Sequence, residues 1–257
     1  MNELSNWYDG DLDERIQGLF GSDPFTAVAE LTAVAGGDPA LESQLVDLLQ
    51  TSLELQADPT LGTAALTLVV GEIRCQEATG PLFTALTSPD EMVVAAAVRA
   101  LRRIGELALE PLLELLDSPD LDDDVAQVVV ESLEGISMHD LPELRGEIES
   151  RLMRELLEPA IRPRRREAAA LALARLGVAR SREVIEHLLE IEFPAGNAYL
   201  LEAVEILDDH PEGLPSPANV PWHEDLRWAD ASVLPGGELE DPDEDADDAA
   251  LPDPNRN

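Results

Sequence analysis

The amino-acid sequence predicts an all-α fold, an α-solenoid of about five helix pairs with an N-terminal cap and a disordered acidic C-terminal tail. Two observations carry this prediction. First, 44% of the 257 residues are hydrophobic but only 4% are aromatic. The core must therefore consist of Leu, Ala, Val and Ile, which suit close helix packing better than a β-sandwich. Second, the chain repeats itself at a short period, which is typical of stacked helical units.

The repeat is clearest in residues 81–90, which read PLFTALTSPD, and residues 111–120, which read PLLELLDSPD. The two segments are identical at six of ten positions, at an offset of 30 residues. Pro81 and Pro111 suit the first turn of a short helix, where the missing N–H is tolerated. That helix must end before the second proline of each segment, because the residue before a proline is pushed out of the α region.

A second helix is predicted to follow at once. Ser88, with Pro89 and then Glu91 behind it, has the pattern of an N-cap with a capping box. Apolar residues then recur at spacings of three and four, which indicates one buried helical face: Val94, Ala97, Val98, Leu101 and Ile104. The repeating unit is therefore predicted to be helix, tight turn, helix.

The same pattern of a proline between two paired helices recurs along the chain. Prolines fall between the paired helices at intervals of 30, 30, 44 and 31 residues, at Pro59, Pro89, Pro119, Pro163 and Pro194. The helical patterns behind them end at Ile73, Ile104, Ile136, Leu176 and Leu207. The long interval predicts a longer first helix over roughly residues 142–158, with one apolar side made of Leu144, Ile148, Leu152, Leu156 and Leu157.

The two ends of the chain differ from this pattern. A less regular helix pair is predicted near residues 12–20 and 24–35. Its apolar residues would cover the exposed end of the core, as terminal units of repeat arrays must; they are Trp7, Tyr8, Ile16, Leu19 and Phe20. We therefore expect an N-terminal cap over residues 1–38, a solenoid over 39–208 and a Pro- and Asp-rich tail over 209–257.

Residues 80–106, GPLFTALTSPDEMVVAAAVRALRRIGE, and residues 109–120, LEPLLELLDSPD, resemble the HEAT-like repeats first described in phycobilisome lyases. The resemblance covers roughly residues 40–208. It implies a right-handed stack of helix pairs, the second helices lining the concave side. It implies little about activity, since proteins with such repeats include bilin lyase subunits, scaffolds, adaptors and inhibitors.

Charge and cysteine content narrow the function classes. The chain carries 54 acidic and 17 basic residues, a net charge of −37, and every basic residue is Arg. Such acidity repels phosphate backbones, which argues against direct nucleic-acid binding. It suits a protein partner with a basic surface, or a cytosol of high ionic strength. The single cysteine, the absence of a charged leader and of long apolar runs predict a cytoplasmic protein without a membrane segment.

No catalytic set, cofactor motif or metal site is expected. The four histidines are His139, His187, His210 and His223, and none pairs with another at a spacing of four. A phosphate-binding P-loop requires lysine, which the chain lacks. The acids at 122–124 lack the glycine and the ordered oxygen ligands of a calcium loop. Cys75 has the pattern of a structural thiol.

Two groups of arginines are candidate partner-binding residues. The first, on the second helix of its unit, comprises Arg99, Arg102 and Arg103. These residues could line a binding surface of the solenoid or belong to a solvated face. The second opens the second helix of the fourth pair and comprises Arg162, Arg164, Arg165 and Arg166. This second group could bind a phosphate, an acidic peptide or the carboxylate of a prosthetic group, because a helix N-terminus favours anions. The other interpretation is that it neutralises the acids at 122–124 on the preceding unit.

The tail holds the remaining candidates, Trp222 and Trp228, within residues 219–234. They could form a docking motif that orders on binding, or fold back over the C-terminal end of the solenoid. Residues 238–257 contain nine acids and one Arg, so this segment is predicted to be disordered. It would be a solvated tail or a means of capturing a basic partner.

The sequence thus predicts a non-enzymatic protein–protein interaction scaffold or adaptor. Two alternatives stay open. A lyase-like accessory protein that handles a tetrapyrrole chromophore is implied only by the family resemblance, and the scarcity of His and aromatic residues argues against it. An acidic nucleic-acid mimic that binds a basic protein is favoured by the net charge alone.

Overall fold

A computed structural model of the chain describes residues 14–21, 23–55, 60–118, 121–137, 142–193 and 195–215. These ranges contain helices joined by short turns and no β-strand. The helices are α1 (Glu14–Gly18), α2 (Pro24–Ala35), α3 (Pro39–Leu55), α4 (Thr60–Glu72), α5 (Thr79–Ala85), α6 (Glu91–Ile104), α7 (Glu106–Leu116), α8 (Asp123–Ser137), α9 (Pro142–Leu157), α10 (Pro163–Arg175), α11 (Ser181–Ile191) and α12 (Ala198–Asp209). A 3₁₀ turn, Gln76–Ala78, precedes α5.

The helices form the predicted solenoid of pairs. The five pairs are α3/α4, α5/α6, α7/α8, α9/α10 and α11/α12, and each first helix packs on its own second helix. The second helices pack on one another in a continuous row that runs α2, α4, α6, α8, α10, α12. Each second helix ends within two residues of the position that its apolar pattern predicted. The all-α solenoid is therefore confirmed.

The row of second helices is tightest between α4 and α6. Gly71 of α4 faces Ala100 of α6, and a Cβ placed on Gly71 would lie 2.4 Å from the Ala100 Cα. Three further alanines of α6, Ala95, Ala96 and Ala97, are buried as well. Small side chains let two backbones approach closely, so α6 is buried on nearly every side by its neighbours in the stack.

Three predictions about local structure are wrong. The N-cap of α6 is Asp90 and not Ser88: the Asp90 Oδ1 accepts hydrogen bonds from the amides of Met92, at 2.9 Å, and Val93, at 3.2 Å. The Ser88 Oγ instead accepts from the Asp90 amide, at 3.2 Å, and shapes the turn before the cap.

The other two concern Pro111 and Leu157. Pro111 is not in the first turn of its helix, because α7 begins at Glu106, directly after Gly105 ends α6 with a φ of +74°. Pro111 therefore lies inside α7, where it offers no amide hydrogen to the carbonyl one turn earlier. Leu157 does not join the apolar side of α9: it is 53% exposed at the last residue of that helix.

The residues of α1 and the turn after it pack beside the start of α4. Ile16 and Leu19 are fully buried, and the ring of Phe20 lies where a Cβ on Gly62 of α4 would be, 2.3 Å from the Phe20 Cδ1. Trp7 and Tyr8, which the cap was expected to include, lie outside the described residues, as do Pro59, Pro119 and Pro194. The division of the chain at residues 38 and 208 stays a prediction.

After α12 the chain turns back to the end of α10. The amide of Leu214 donates to the carbonyl of Arg175 at 2.7 Å. Gly213 and Gly177 both have positive φ, and a Cβ on Gly177 would lie 2.4 Å from the Gly213 amide nitrogen. The last described residues therefore pack on the C-terminal end of α10. No helix in the described ranges is long and apolar enough to cross a membrane.

Candidate interaction surfaces

The first group of candidate arginines belongs to a set of ion pairs that we call the second-helix ladder, formed by Glu72, Arg99, Arg102, Arg103, Glu131, Glu134 and Arg175. Glu72 of α4 is shared by two arginines of α6. Its Oε1 accepts from the Arg99 Nε at 2.8 Å, and its Oε2 lies 3.2 Å from the Arg103 Nε. Arg99 is only 5% exposed. Within this group, only Arg102 and Arg103 are therefore accessible to a partner.

The ladder continues through α8 to α10. Arg102 of α6 binds Glu131 of α8 with 3.0 Å between Nη2 and Oε1. Arg175 of α10 binds Glu134 of α8 with 3.4 Å between Nη1 and Oε2. Acidic and basic helices therefore alternate along the row: α4 and α8 supply carboxylates, while α6 and α10 supply guanidinium groups.

Glu134 is the most perturbed group of the ladder. Burial raises its pKa to about 7, against the opposing effects of the Arg175 and Arg102 charges, while the nearby Glu131 raises it further. The side chain is almost inaccessible to solvent. Removing a carboxylate from water disfavours its charged form, and the Arg175 contact at 3.4 Å compensates only in part.

The second group of candidate arginines divides between surface and core. Arg162 and Arg164, at the start of α10, are exposed and reach back to the start of α8. The Arg162 Nη1 lies 3.3 Å from the Asp123 Oδ1, and the Arg164 Nη1 lies 2.8 Å from the Asp124 Oδ1. These are the contacts that the neutralising interpretation expected. Partner binding by this group stays a prediction.

The other two members, Arg165 and Arg166, are buried. The Arg165 Nη2 donates to the Glu155 Oε2 and to the Leu116 carbonyl, both at 2.8 Å. Arg166 forms a two-nitrogen fork on Glu192, which holds the pKa of that carboxyl below its usual range. Both side chains thus connect α10 to other helices of the stack.

Two clefts, each close to one of these groups, also contain arginines that the sequence did not single out. The cleft beside α9, about 280 Å³, is lined by Arg162 and Arg165 together with Arg151 and Arg154. The Arg151 Nη1 donates to the Asp117 Oδ1 at 2.6 Å, a hydrogen bond that lowers the pKa of Asp117. Only the spacing of Arg151 and Glu155 along one helix could have indicated this network.

The other cleft, which we call the Arg74 cleft, has a volume of about 290 Å³ and lies at the C-terminal ends of α4 and α6. Arg102 and Arg103 line it, and so do Arg74, Gln76 and Glu106. Arg74 has no carboxylate within 4 Å of its guanidinium among the described residues. Sequence reasoning missed Arg74 because it stands alone, apart from the clusters.

The outward faces of the first helices carry unpaired acids. Glu106, Glu110 and Glu114 are exposed and one turn apart on α7, and no arginine of the described chain pairs with them. We call them the α7 stripe. They project away from the core because Ala108, Leu109, Leu112 and Leu116 hold the opposite side of the helix in the interior. The charged side chains on the exterior of α7 are therefore all anionic, and the exposed Leu107 lies beside them.

The remaining candidates add no reactive group. Within the described ranges no three His, Cys, Asp or Glu side chains come together as a metal-binding group. Cys75 is buried, and burial raises the pKa of its thiol, which disfavours the reactive thiolate. Trp222 and Trp228 lie outside the described residues, so their docking stays a prediction.

Comparison with known proteins agrees with this architecture. A family model of HEAT repeats matches residues 46–134. Among solved structures, an engineered protein from the Northeast Structural Genomics Consortium is 20% identical and covers 79% of this chain and 97% of its own, with a TM-score of 0.36. That score is too low to support any argument. No curated protein sequence matches the chain. The phycobilisome-lyase type stays an expectation, whereas the match over residues 46–134 shows that the chain contains HEAT-like repeats.

Proposed function

We propose that this chain is a non-enzymatic scaffold or adaptor whose acidic first-helix face binds a basic protein partner. HEAT repeats commonly mediate contacts between proteins, and a stack of such units offers an extended surface. The buried, weakly nucleophilic thiol of Cys75 fits a reducing compartment, so a cytoplasmic location belongs to the same proposal.

The observation that carries the proposal is the way charge is distributed between the two layers of helices. In the second-helix ladder, acids and arginines pair with one another across the row and leave few charges for a partner. In the α7 stripe, three carboxylates about 6 Å apart along one helix have no partner among the described residues. On α11, Glu183 and Glu190 are likewise exposed and form no ion pair with the described part of the chain.

This arrangement favours recognition of Lys- or Arg-rich surfaces. A net charge of −37 accelerates the approach of a basic protein, and the acceleration falls as salt is added. Exposed acids spaced along a rigid helix then select partners whose basic groups have a matching spacing. The proposed contact lies on the first helices, because α6 in the middle of the second-helix row exposes almost none of its surface.

The test compares two triple variants of the full chain in a pull-down from host lysate, followed by affinity measurement on the captured partner. Neutralising the α7 stripe, in Glu106→Gln, Glu110→Gln and Glu114→Gln, should weaken binding about 10- to 100-fold and mainly slow association. Raising NaCl from low to physiological concentration should weaken wild-type binding in the same direction.

The control removes the same charge from exposed acids elsewhere that form no ion pair within the described ranges: Glu30→Gln, Asp47→Asn and Glu202→Gln. It should bind nearly as well as wild type. Equal losses in the two triple variants would mean that only net charge matters, and would refute the assignment to α7. Undiminished binding by the stripe variant would refute it as well.

A further inference from the structure

Arg74 adopts a positive-φ backbone conformation, and at the ends of α6 and α10 the residue with positive φ is a glycine. Its φ is +55°, and it is the one residue other than glycine with a positive φ in the described part of the chain. The amide of Arg74 donates to the Gly71 carbonyl and the amide of Cys75 to the Val70 carbonyl, both at 2.9 Å. These two bonds end α4 with a left-handed residue, a position at which any Cβ is disfavoured.

The same motif ends α10, and there the left-handed residue is a glycine. Gly177, with a φ of +68°, donates to the Ala174 carbonyl, and the next amide, that of Val178, donates to the Leu173 carbonyl. Gly105, after α6, also has a positive φ. In two units the residue with positive φ at the end of the second helix is thus a glycine. At position 74 it is an arginine, although a positive φ strains any residue that has a Cβ. Strain retained at one position points to a use for the side chain.

The Arg74 side chain has no use within the fold that the contacts reveal. It is exposed and has neither a hydrogen-bond acceptor nor a carboxylate partner among the described residues. Its neighbours along the cleft also have donors to spare. The closest approach of Arg103 to Glu72 is 3.2 Å, from Nε to Oε2, and no guanidinium nitrogen of Arg103 makes a hydrogen bond to a described residue. Glu72 also accepts a hydrogen bond from Arg99.

The cleft is therefore a cationic site in a strongly anionic protein. Arg74, Arg102 and Arg103 line it and face a single lining carboxylate, that of Glu106. Arginines in the last turn of a helix also balance the partial negative charge of its C-terminus, which accounts in part for Arg102 and Arg103. It does not account for Arg74, because α10 ends in the same motif with glycine at that position.

We propose that the Arg74 cleft binds the phosphate group of a small molecule between the guanidinium groups of Arg74, Arg102 and Arg103. Guanidinium groups present paired donors that match phosphate oxygens. The volume of about 290 Å³ is at the lower end for ligand pockets, which suits a small ligand. The net charge of −37 repels phosphate polymers, and a small anion experiences far less of that repulsion.

The test titrates the full chain with inorganic phosphate and with glycerol phosphate, by calorimetry and by phosphorus NMR. Wild type should bind one equivalent saturably. Arg74→Gly should bind about tenfold more weakly, because one charge-assisted contact is lost. The same variant should melt a few degrees higher, because glycine relieves the left-handed strain. Weaker binding and higher stability together are not expected of a residue that serves only the fold.

Two further variants complete the experiment. Arg180→Ala removes an exposed arginine from another unit, where its nearest carboxylate is 3.7 Å away, and should leave phosphate affinity within about twofold. Glu106→Gln removes the opposing charge from the cleft and should tighten binding several-fold. Tighter binding of glycerol phosphate than of inorganic phosphate would identify a phosphomonoester as the ligand class, and the reverse would identify the free ion.

Two results would overturn the proposal: the absence of saturable binding of either anion to wild type, and equal weakening by Arg74→Gly and Arg180→Ala. Neither result would contradict the proposed protein-binding function. That function is tested with a protein partner, by comparing the α7 stripe variant with the variant of acids elsewhere. Glu106 is the one residue common to both experiments. The stripe variant should bind the partner less well and phosphate more tightly, so the two readouts move in opposite directions.

Discussion

The guanidinium of Arg166 makes three contacts at once. Two of its nitrogens bind Glu192, at 2.5 and 3.0 Å, while its Nε donates to the Leu156 carbonyl at 3.1 Å. A lysine ammonium offers no such planar fork. Arg165 likewise combines a carboxylate with a main-chain carbonyl. The chain's exclusive use of Arg therefore has a structural consequence, whatever its origin: buried cations can be satisfied by several acceptors from different helices.

Glu134 gives the sharpest prediction at this scale. Its pKa is about 7 in the folded protein and near 4.5 in the unfolded chain. The folded state thus binds the extra proton, so this group's stabilising contribution is complete below pH 4.5 and is lost as pH rises through 7. Glu134→Gln keeps an uncharged acceptor for Arg175. At pH 8 it should be more stable than wild type, by at most about 3 kcal/mol.

Urea unfolding of both proteins at pH 5 and pH 8 checks this expectation. Near pH 5 the two stabilities should be similar, because Glu134 is then protonated in the folded wild type. A stability difference that stays the same at both pH values would contradict the raised pKa. Comparing the variant with wild type at each pH cancels the titration of the other acids.

The sequence identified the arginines, but it indicated partners only for the group at the start of α10, in the acids at 122–124. Arg99 and Glu72 are 27 positions apart, and Arg165 and the Leu116 carbonyl are 49 apart. Such contacts depend on which helices are neighbours in the stack, and no local pattern encodes that. Arg74 was missed for a related reason: its left-handed conformation follows from how α4 ends, which depends on two backbone hydrogen bonds.

At the scale of the helices, local signals performed better. The longer first helix predicted over residues 142–158 is present as α9, Pro142–Leu157. The errors arose where two signals competed. Gly105 and Glu106 begin α7 before Pro111 is reached, and a helix begun earlier can include a proline. Ser88 and Asp90 are both good N-caps, and the one nearer the apolar face provides the cap.

Close approach of α4 and α6 leads to the prediction at this scale. Gly71→Ala would place a methyl group 2.4 Å from the Cα of Ala100. Neither backbone can yield alone, so the two helices must separate. We expect a loss of about 1–3 kcal/mol in the free energy of unfolding, the usual range for an overpacked interior.

Gly146→Ala is the matched control for Gly71→Ala. Gly146 is also inside a helix, α9, but it is exposed and a Cβ there would meet nothing within 4 Å. Alanine should therefore stabilise the protein, by about 0.5–1 kcal/mol. Denaturant unfolding of the two variants should shift in opposite directions. If both variants shifted alike, the close contact between α4 and α6 would be refuted.

For the molecule as a whole, the dominant quantity is the imbalance of charge. With 54 acids and 17 arginines, most acids have no cation available to them. The exposed acids repel one another across the surface, and this repulsion weakens the compact state. The buried pairs of the ladder are largely shielded from dissolved ions, whereas the exposed acids are not.

Added salt should therefore stabilise the fold. We expect the melting temperature to rise by several degrees between about 20 and 500 mM NaCl, where the screening length falls well below the molecule's dimensions. Differential scanning calorimetry measures this shift. KCl at the same ionic strength should have the same effect, which separates screening from sodium binding. A fall in melting temperature would instead mean that ion pairs outweigh the repulsion.

The alternation of acidic and basic helices in the ladder has a further consequence for how such a chain can grow or shrink. Removing the single unit α5/α6 would place Glu72 of α4 opposite Glu131 and Glu134 of α8, acid against acid. Removing that unit together with α7/α8 would bring Glu72 to the α10 layer, which carries Arg175. The repeating unit of the backbone is one helix pair. The repeating unit of the charge pattern is two helix pairs. A gain or loss of repeats therefore keeps acidic second helices next to basic ones only when the number of repeats gained or lost is even.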